Sequence, residues 1–220
     1  MPTIYLIDDD PSARQGLARL IRAAGYTVTP FSSAREFLDA GPPSGPGCLV
    51  LDLRMPEVSG LDLQERLGRE CCPMPIIFIT GHGDVPMSVQ AMKQGAVDFL
   101  PKPVDCAHLL AAIQLALEND AAARHQHEEQ QEIQRRLKQL TEREREVMHH
   151  VIRGRLNKQI AAELGIAEPT VKIHRGRVME KLGLASVAEL VLLGQKAGQL
   201  IAETTGRASS APFPPPRTQT

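Results

Sequence analysis

Short apolar runs and helix-spaced segments alternate along the first half of the chain. Ile4-Tyr5-Leu6-Ile7, Tyr26 to Phe31, Cys48 to Leu51, Pro75 to Thr80 and Ala96 to Leu100 are β-prone runs. Leu49 to Leu51 are apolar in succession, as in a strand covered on both faces of a parallel sheet. Between the runs, Pro11 and Ser12 open a helix with an apolar face of Ala13, Leu17, Leu20, Ile21 and Ala24. Ser33 to Ala40, Gly60 to Glu70 and Val85 to Gln94 read as further helices, and Gly25 and Gly95 as stops. Gly41 to Gly47 and Gly81-His82-Gly83-Asp84 read as loops. The alternation predicts an α/β fold with a doubly wound, five-stranded parallel sheet. Right-handed crossovers then bring the ends of the first, third, fourth and fifth strands onto one crevice.

The pattern changes after residue 105. Asp105 to about Leu140 is helical in propensity, with Leu109, Leu110, Ile113, Ala116 and Leu117 on its first apolar face. Glu118 to Glu132 has only alanines as apolar residues, which predicts an exposed helix between two domains. A disordered linker is the competing reading, from the Gln and Glu content. Thr141-Glu142-Arg143-Glu144 is a capping box whose helix ends at Gly154. Asn157 is expected to cap a helix over Lys158 to Leu164, ended by Gly165. After the turn Ile166-Ala167-Glu168, Pro169 to Leu182 and Ser186 to about Gly198 complete a small all-α, helix-turn-helix domain. The expected division is 3–118 for the α/β domain, 119–135 for a helical linker, 136–201 for the helical domain and 202–220 for a disordered Ser/Thr/Pro-rich tail.

A net charge of −1 hides two unlike halves. Residues 1–120 hold 9 Lys and Arg against 15 Asp and Glu, and residues 133–200 hold 13 against 7. The basic second half implies an anionic partner. Cys48, Cys71, Cys72 and Cys106 have no metal-type spacing and read as reduced thiols. With no leader pattern and no apolar run of spanning length, the expectation is a cytoplasmic protein without a membrane partner.

The chemistry of the first half sits at strand ends. Asp8 and Asp9 follow the first strand, Asp52 ends the third, Thr80 the fourth, and Lys102 follows the fifth. Three carboxylates in one crevice repel and call for a counter-charge, which Mg²⁺ answers. A carboxylate can attack phosphorus to form an aspartyl phosphate, with Lys102 as cation and Thr80 as hydroxyl donor. Gly81 leaves room for the incoming group. For any one of these residues a surface role is the ordinary reading; the five together weigh against it. Residues 3–120 resemble a receiver domain of a two-component response regulator. The resemblance implies that Asp52 is the phosphoacceptor and that Asp8, Asp9, Asp52 and the backbone carbonyl of Arg54 hold Mg²⁺. It implies that Lys102 pairs with the phosphoryl group, with a cis Lys102-Pro103 peptide. Thr80 and Phe99 form the switch pair, although Phe99 also suits plain core packing. His82 is more simply a loop-surface residue than a hydrolytic one.

The second half carries Lys172, His174, Arg175, Arg177 and Lys181 on one helix. Val171, Val178 and Leu182 have core spacing, which leaves Lys172, Arg175 and Lys181 free to face outward. Such a helix can enter a DNA major groove, with Thr170 at its N-terminus toward phosphate. A solvated basic face is the plainer alternative. The strings Leu140 to Val147, Asn157 to Gly165 and Thr170 to Arg175 are similar to the LuxR/NarL/FixJ-type DNA-binding domain over about 136–200. The resemblance implies that Glu144 packs at the domain base and that Asn157 and Lys158 open the scaffold helix. Ala167 replaces the usual Ser or Thr cap, and Gly176 stands where longer side chains often touch bases.

Receiver first and DNA-binding domain last is similar to the FixJ subgroup. The implied function is a DNA-binding response regulator, phosphorylated on Asp52 by a sensor histidine kinase and acting on transcription. Its implied partners are double-stranded DNA, the kinase and a second copy of the chain, with RNA polymerase a further candidate. Pairing is expected through the helix Val85–Gln94 and the Phe99 strand. An enzymatic rival is a haloacid-dehalogenase-type phosphatase, but that chemistry wants an Asp where this chain has Arg54. A regulator binding protein or RNA rather than duplex DNA is the third class.

Overall fold

The computed structural model describes residues 1–41, 43, 45–68, 74–81 and 85–195, with Val85 and Pro86 by backbone only. Two compact units divide at Gln126 and His127. The first holds β1 (Thr3–Ile7), α1 (Pro11–Ala23), β2 (Thr27–Phe31), α2 (Ala34–Asp39), β3 (Gly47–Asp52), α3 (Gly60–Leu67), β4 (Ile76–Thr80), α4 (Val85–Lys93) and β5 (Asp98–Pro101). The helix α5 (Cys106–Lys138) contributes to both units. The sheet is five-stranded and parallel in the order β2-β1-β3-β4-β5.

The strand β3 is buried at every position, because both faces of the sheet are covered. Its residues alternate between two cores. Cys48 and Val50 pack with Ala18 and Ile21 of α1 and with Leu109, Ala112, Ile113 and Ala116 of α5. Leu49 and Leu51 pack with Phe37 of α2, Leu63 and Leu67 of α3, and Ala91 of α4. Each fully buried Leu or Ile stabilises by roughly 1.5–3 kcal/mol. On α1 the expected face shifts: Ala18 is buried and Ala24 is exposed. Alanine is small enough to fit either side, so spacing alone does not place it. Gly60 opens α3 directly beneath Asp52, where a Cβ would lie 2.8 Å from the Asp52 carbonyl oxygen. Only glycine allows that approach.

The stretch after Glu118 is not exposed throughout, as its composition suggests. Asp120 is 1% exposed. Its Oδ2 accepts from the Gly47 amide at 3.0 Å and from Arg124 Nε at 2.8 Å. Arg124 Nη2 also donates to the Gly45 carbonyl at 2.7 Å. This clasp ties α5 to the start of β3.

In the second unit, α6 (Glu142–Ile152), α7 (Asn157–Leu164) and α8 (Glu168–Leu182) are followed by helix over 187–195. Their core joins Leu140, Val147, Val151, Ile160, Val171, Val178, Leu182 and Leu190. The Thr141 and Glu144 capping box is present in both directions. Gly165 ends α7 with φ 64°, a left-handed conformation that suits glycine. Asn157 does not cap α7. It is the first helical residue, and the free amide of Leu156 instead donates to Gln159 Oε1 at 2.9 Å. Ala167 precedes α8 without a side-chain cap.

Cys48 and Cys106 are free thiols. Cys71, Cys72, His82, the end of the last helix and the tail 202–220 lie outside the described residues. Among the described residues, no helix is long and apolar enough to cross a membrane.

Candidate functional site

Parallel strands end on the same side of a sheet, so Asp8, Asp52, Thr80 and Lys102 meet at the C-terminal ends of its strands. Asp8 is 1% exposed and Asp52 7%, while Asp9 is exposed. Carboxylate oxygens of the three aspartates lie within 4.8 Å of one another. Lys102 Nζ donates to Asp8 Oδ2 at 2.8 Å and to Asp52 Oδ2 at 2.6 Å. The remaining oxygens accept backbone amides: Asp10 N on Asp8 Oδ1 at 2.9 Å, and Arg54 N on Asp52 Oδ1 at 3.0 Å. The Lys102 amide donates to the Thr80 carbonyl at 2.6 Å, and the Lys102-Pro103 peptide is cis.

Burial pushes the Asp8 carboxyl above its ordinary value, against the pull of Lys102 and the Asp10 amide. Burial alone would depress the Lys102 ammonium; hydrogen bonds and charge from Asp52 and Asp8 outweigh it and raise the group overall. The Lys102 ammonium thus bridges two of three clustered carboxylates. That excess of hard oxygen donors fits a divalent cation held by carboxylates and water.

Thr80 is 1% exposed. Phe99 is half-buried opposite Phe78 in the β4–β5 register, with ring centroids 6.4 Å apart. Its surroundings make it a packing residue, and its partial exposure leaves one side open.

Arg14 escaped sequence reasoning. Its Nη1 donates to the carbonyl of Asp8 at 2.6 Å and to that of Asp9 at 3.4 Å. The available signal was its place one turn into α1, since helical side chains lean back toward the N-terminus.

The second candidate site is the outer face of α8. Lys172, Ile173, Gly176 and Arg177 are exposed, with Ile173 at 55%. Lys158 of α7 is also exposed, and Thr170 is half-buried. His174 is half-buried, with Nδ1 lacking a partner among the described residues. Arg175 turns inward, where its Nη1 donates to Asn157 Oδ1 at 3.2 Å. Lys181 also departs from the outward placement. Its Nζ donates to Glu144 Oε2 at 2.6 Å and to the Gln139 carbonyl at 3.2 Å. Glu144 is 2% exposed, and the bond from Lys181 is the first cause holding its carboxyl down at about 2. Lys181 thus balances a buried charge inside the domain, which leaves its side chain only about a third exposed.

Comparison with known proteins covers both units. Residues 4–114 match the model of the response regulator receiver domain, and residues 138–193 that of the bacterial regulatory proteins of the luxR family. Nodulation protein W of Bradyrhizobium diazoefficiens is 47% identical over 195 residues, covering 89% of this chain and 86% of that protein. Transcriptional regulatory protein FixJ of Azorhizobium caulinodans is 44% identical over 195 residues, covering 89% and 92%. The structure of response regulator StyR is 50% identical with a TM-score of 0.81, covering 89% of this chain and 98% of that one.

Proposed function

From a chain that belongs to the LuxR/FixJ-type response regulators, we propose a switch in which Asp52 accepts a phosphoryl group and α8 reads DNA. The family consists of two-component transcriptional regulators, and a sensor histidine kinase and DNA are the partners that its two domains imply. The observation that carries the Asp52 assignment is the Lys102 bridge between Asp8 and Asp52 at the C-terminal strand ends. A kinase phosphohistidine would present its phosphorus to the Asp52 carboxylate. The new O–P bond forms as the donor's N–P bond breaks, and the nitrogen leaves with the electron pair. Lys102 exchanges a carboxylate partner for a phosphoryl oxygen, and the Thr80 hydroxyl donates to another. Asp8, Asp9, Asp52 and the Arg54 carbonyl would hold Mg²⁺, which supplies neutralising charge when bound. Movement of Thr80 would let the Phe99 ring turn inward.

Val89 and Met92 on α4 are each 46% exposed, which supports pairing of two phosphorylated copies through α4 and β5. Pairing would place two α8 helices on one duplex. Lys172 and Arg177 would face base edges, and Lys158 and Thr170 phosphates. Asn157, His174 and Arg175 serve through the position of α8, and Lys181 leaves the DNA-contact set. The domain limits that go with this reading are 3–118, a helical linker over 119–135 whose first turns stay clasped to the first unit through Asp120 and Arg124, and 136–201, in a cytoplasmic protein that recruits RNA polymerase. The test is selection from a random duplex pool by the full chain, with and without acetyl phosphate and Mg²⁺. Sequence enrichment that depends on acetyl phosphate is expected. Equal retention of single-stranded RNA, or turnover of small phosphate esters, would favour the rival classes.

A further inference from the structure

We propose that Arg14 is a positioning residue of the acid pocket, holding the Asp8 and Asp9 backbone so that both carboxylates face the cation position. The inference rests on the metal-dependent reading of the pocket. The ladder between β1 and β2 closes with the Asp8 amide on the Phe31 carbonyl at 3.3 Å. Past that point the carbonyls of Asp8 and Asp9 leave the sheet. Arg14 Nη1 donates to both, at 2.6 and 3.4 Å.

The turn is then closed from two directions. Asp10 Oδ1 caps α1 by accepting from Ser12 N at 2.8 Å and Ala13 N at 3.4 Å. The Arg14 amide donates to the Asp10 carbonyl at 2.9 Å, and its guanidinium reaches back over the same turn. Asp8 has further holds on its carboxylate, from Lys102 and the Asp10 amide. Asp9 is exposed, and the guanidinium reaches its carbonyl directly from α1, in addition to the hold that Asp10 gives the turn. Both bonds leave one nitrogen, Nη1, whose N–H directions are fixed in the guanidinium plane; an ammonium on a flexible stem holds such directions less well.

Charge and geometry predict opposite signs here. Removing a cation beside three carboxylates should strengthen binding of another cation on Coulomb grounds. Loosening groups that orient metal ligands should weaken it, by roughly 10–100-fold for such outer partners. The test uses the full chain as wild type, Arg14→Met and Arg14→Lys. Mg²⁺ is titrated at constant ionic strength, and the unfolding midpoint of the receiver unit is followed by hydrogen exchange and circular dichroism. The expected result is a half-saturating Mg²⁺ concentration roughly tenfold higher in Arg14→Met. Arg14→Lys should fall between that and wild type although its charge is unchanged. The midpoint in EDTA should move little in Arg14→Lys, which carries the test if Arg14→Met fails to fold. A wild type that responds to Mg²⁺ with variants that match it, or bind Mg²⁺ more tightly, overturns the Arg14 role alone. A wild type that does not respond overturns the metal reading of the pocket as well.

Discussion

Lys181→Ala distinguishes a structural ion pair from a DNA contact. Removing one partner of a buried pair costs roughly 3–5 kcal/mol, because the other charge stays buried alone. Exposed pairs contribute only about 0–1 kcal/mol. Here the Glu144 side chain is 3% exposed and that of Lys181 34%. Glu144 also keeps the Thr141 amide at 2.9 Å. The loss should therefore fall between the two limits, at about 2 kcal/mol. For a domain of this size that is a drop of roughly 8–15 °C in midpoint. The sign with pH follows from the lowered Glu144 carboxyl. Its contribution is complete above the ordinary value of 4.5 and is lost as pH falls toward about 2. The variant should therefore lose most at neutral pH and converge on wild type near pH 2. Hydrogen exchange over 142–182 in the full chain measures the stability, and a salt series of duplex binding measures the contact count. A salt slope reduced by about one unit, with unchanged exchange protection, would refute the ion-pair role.

The remaining expectations concern other joints of the molecule. Asp120→Ala should destabilise the first unit by about 2–4 kcal/mol, because Arg124 and the Gly47 amide lose a buried acceptor; normal exchange protection at 45–48 and 120–124 would contradict this. Lys172→Ala should cost roughly 1–3 kcal/mol on a selected duplex and narrow its margin over random DNA; an equal loss on both would make Lys172 a phosphate contact. Beryllofluoride with Mg²⁺ should raise the dimer fraction in sedimentation, and an unchanged monomer fraction at all concentrations would count against pairing through α4 and β5.

The sheet and the end of its central strand were legible because burial on both faces leaves an unbroken apolar run that stops at Asp52. That strand end, with four polar residues at neighbouring ends, points to the pocket. What stayed hidden were charges whose partners are remote in sequence. Asp120 meets an amide 73 residues away, and Lys181 a carboxylate 37 residues away. A charge pattern reads both as solvated, since nothing local betrays the partner. Asn157 was off by one position, because Leu156 occupies the cap and Gln159 does the bonding. Arg14 was hidden for another reason: it binds carbonyls, which every residue has.

Phosphorylation of Asp52 is the claim on which the rest depends, and the intact mass of the chain tests it directly. Wild type and Asp52→Asn are incubated with acetyl phosphate and Mg²⁺ and compared after equal times. The amide is nearly isosteric, so the variant keeps its fold by circular dichroism. One added phosphoryl group on wild type, absent without Mg²⁺ and absent from Asp52→Asn, is the expected result. Full labelling of Asp52→Asn would place the acceptor elsewhere and contradict the account.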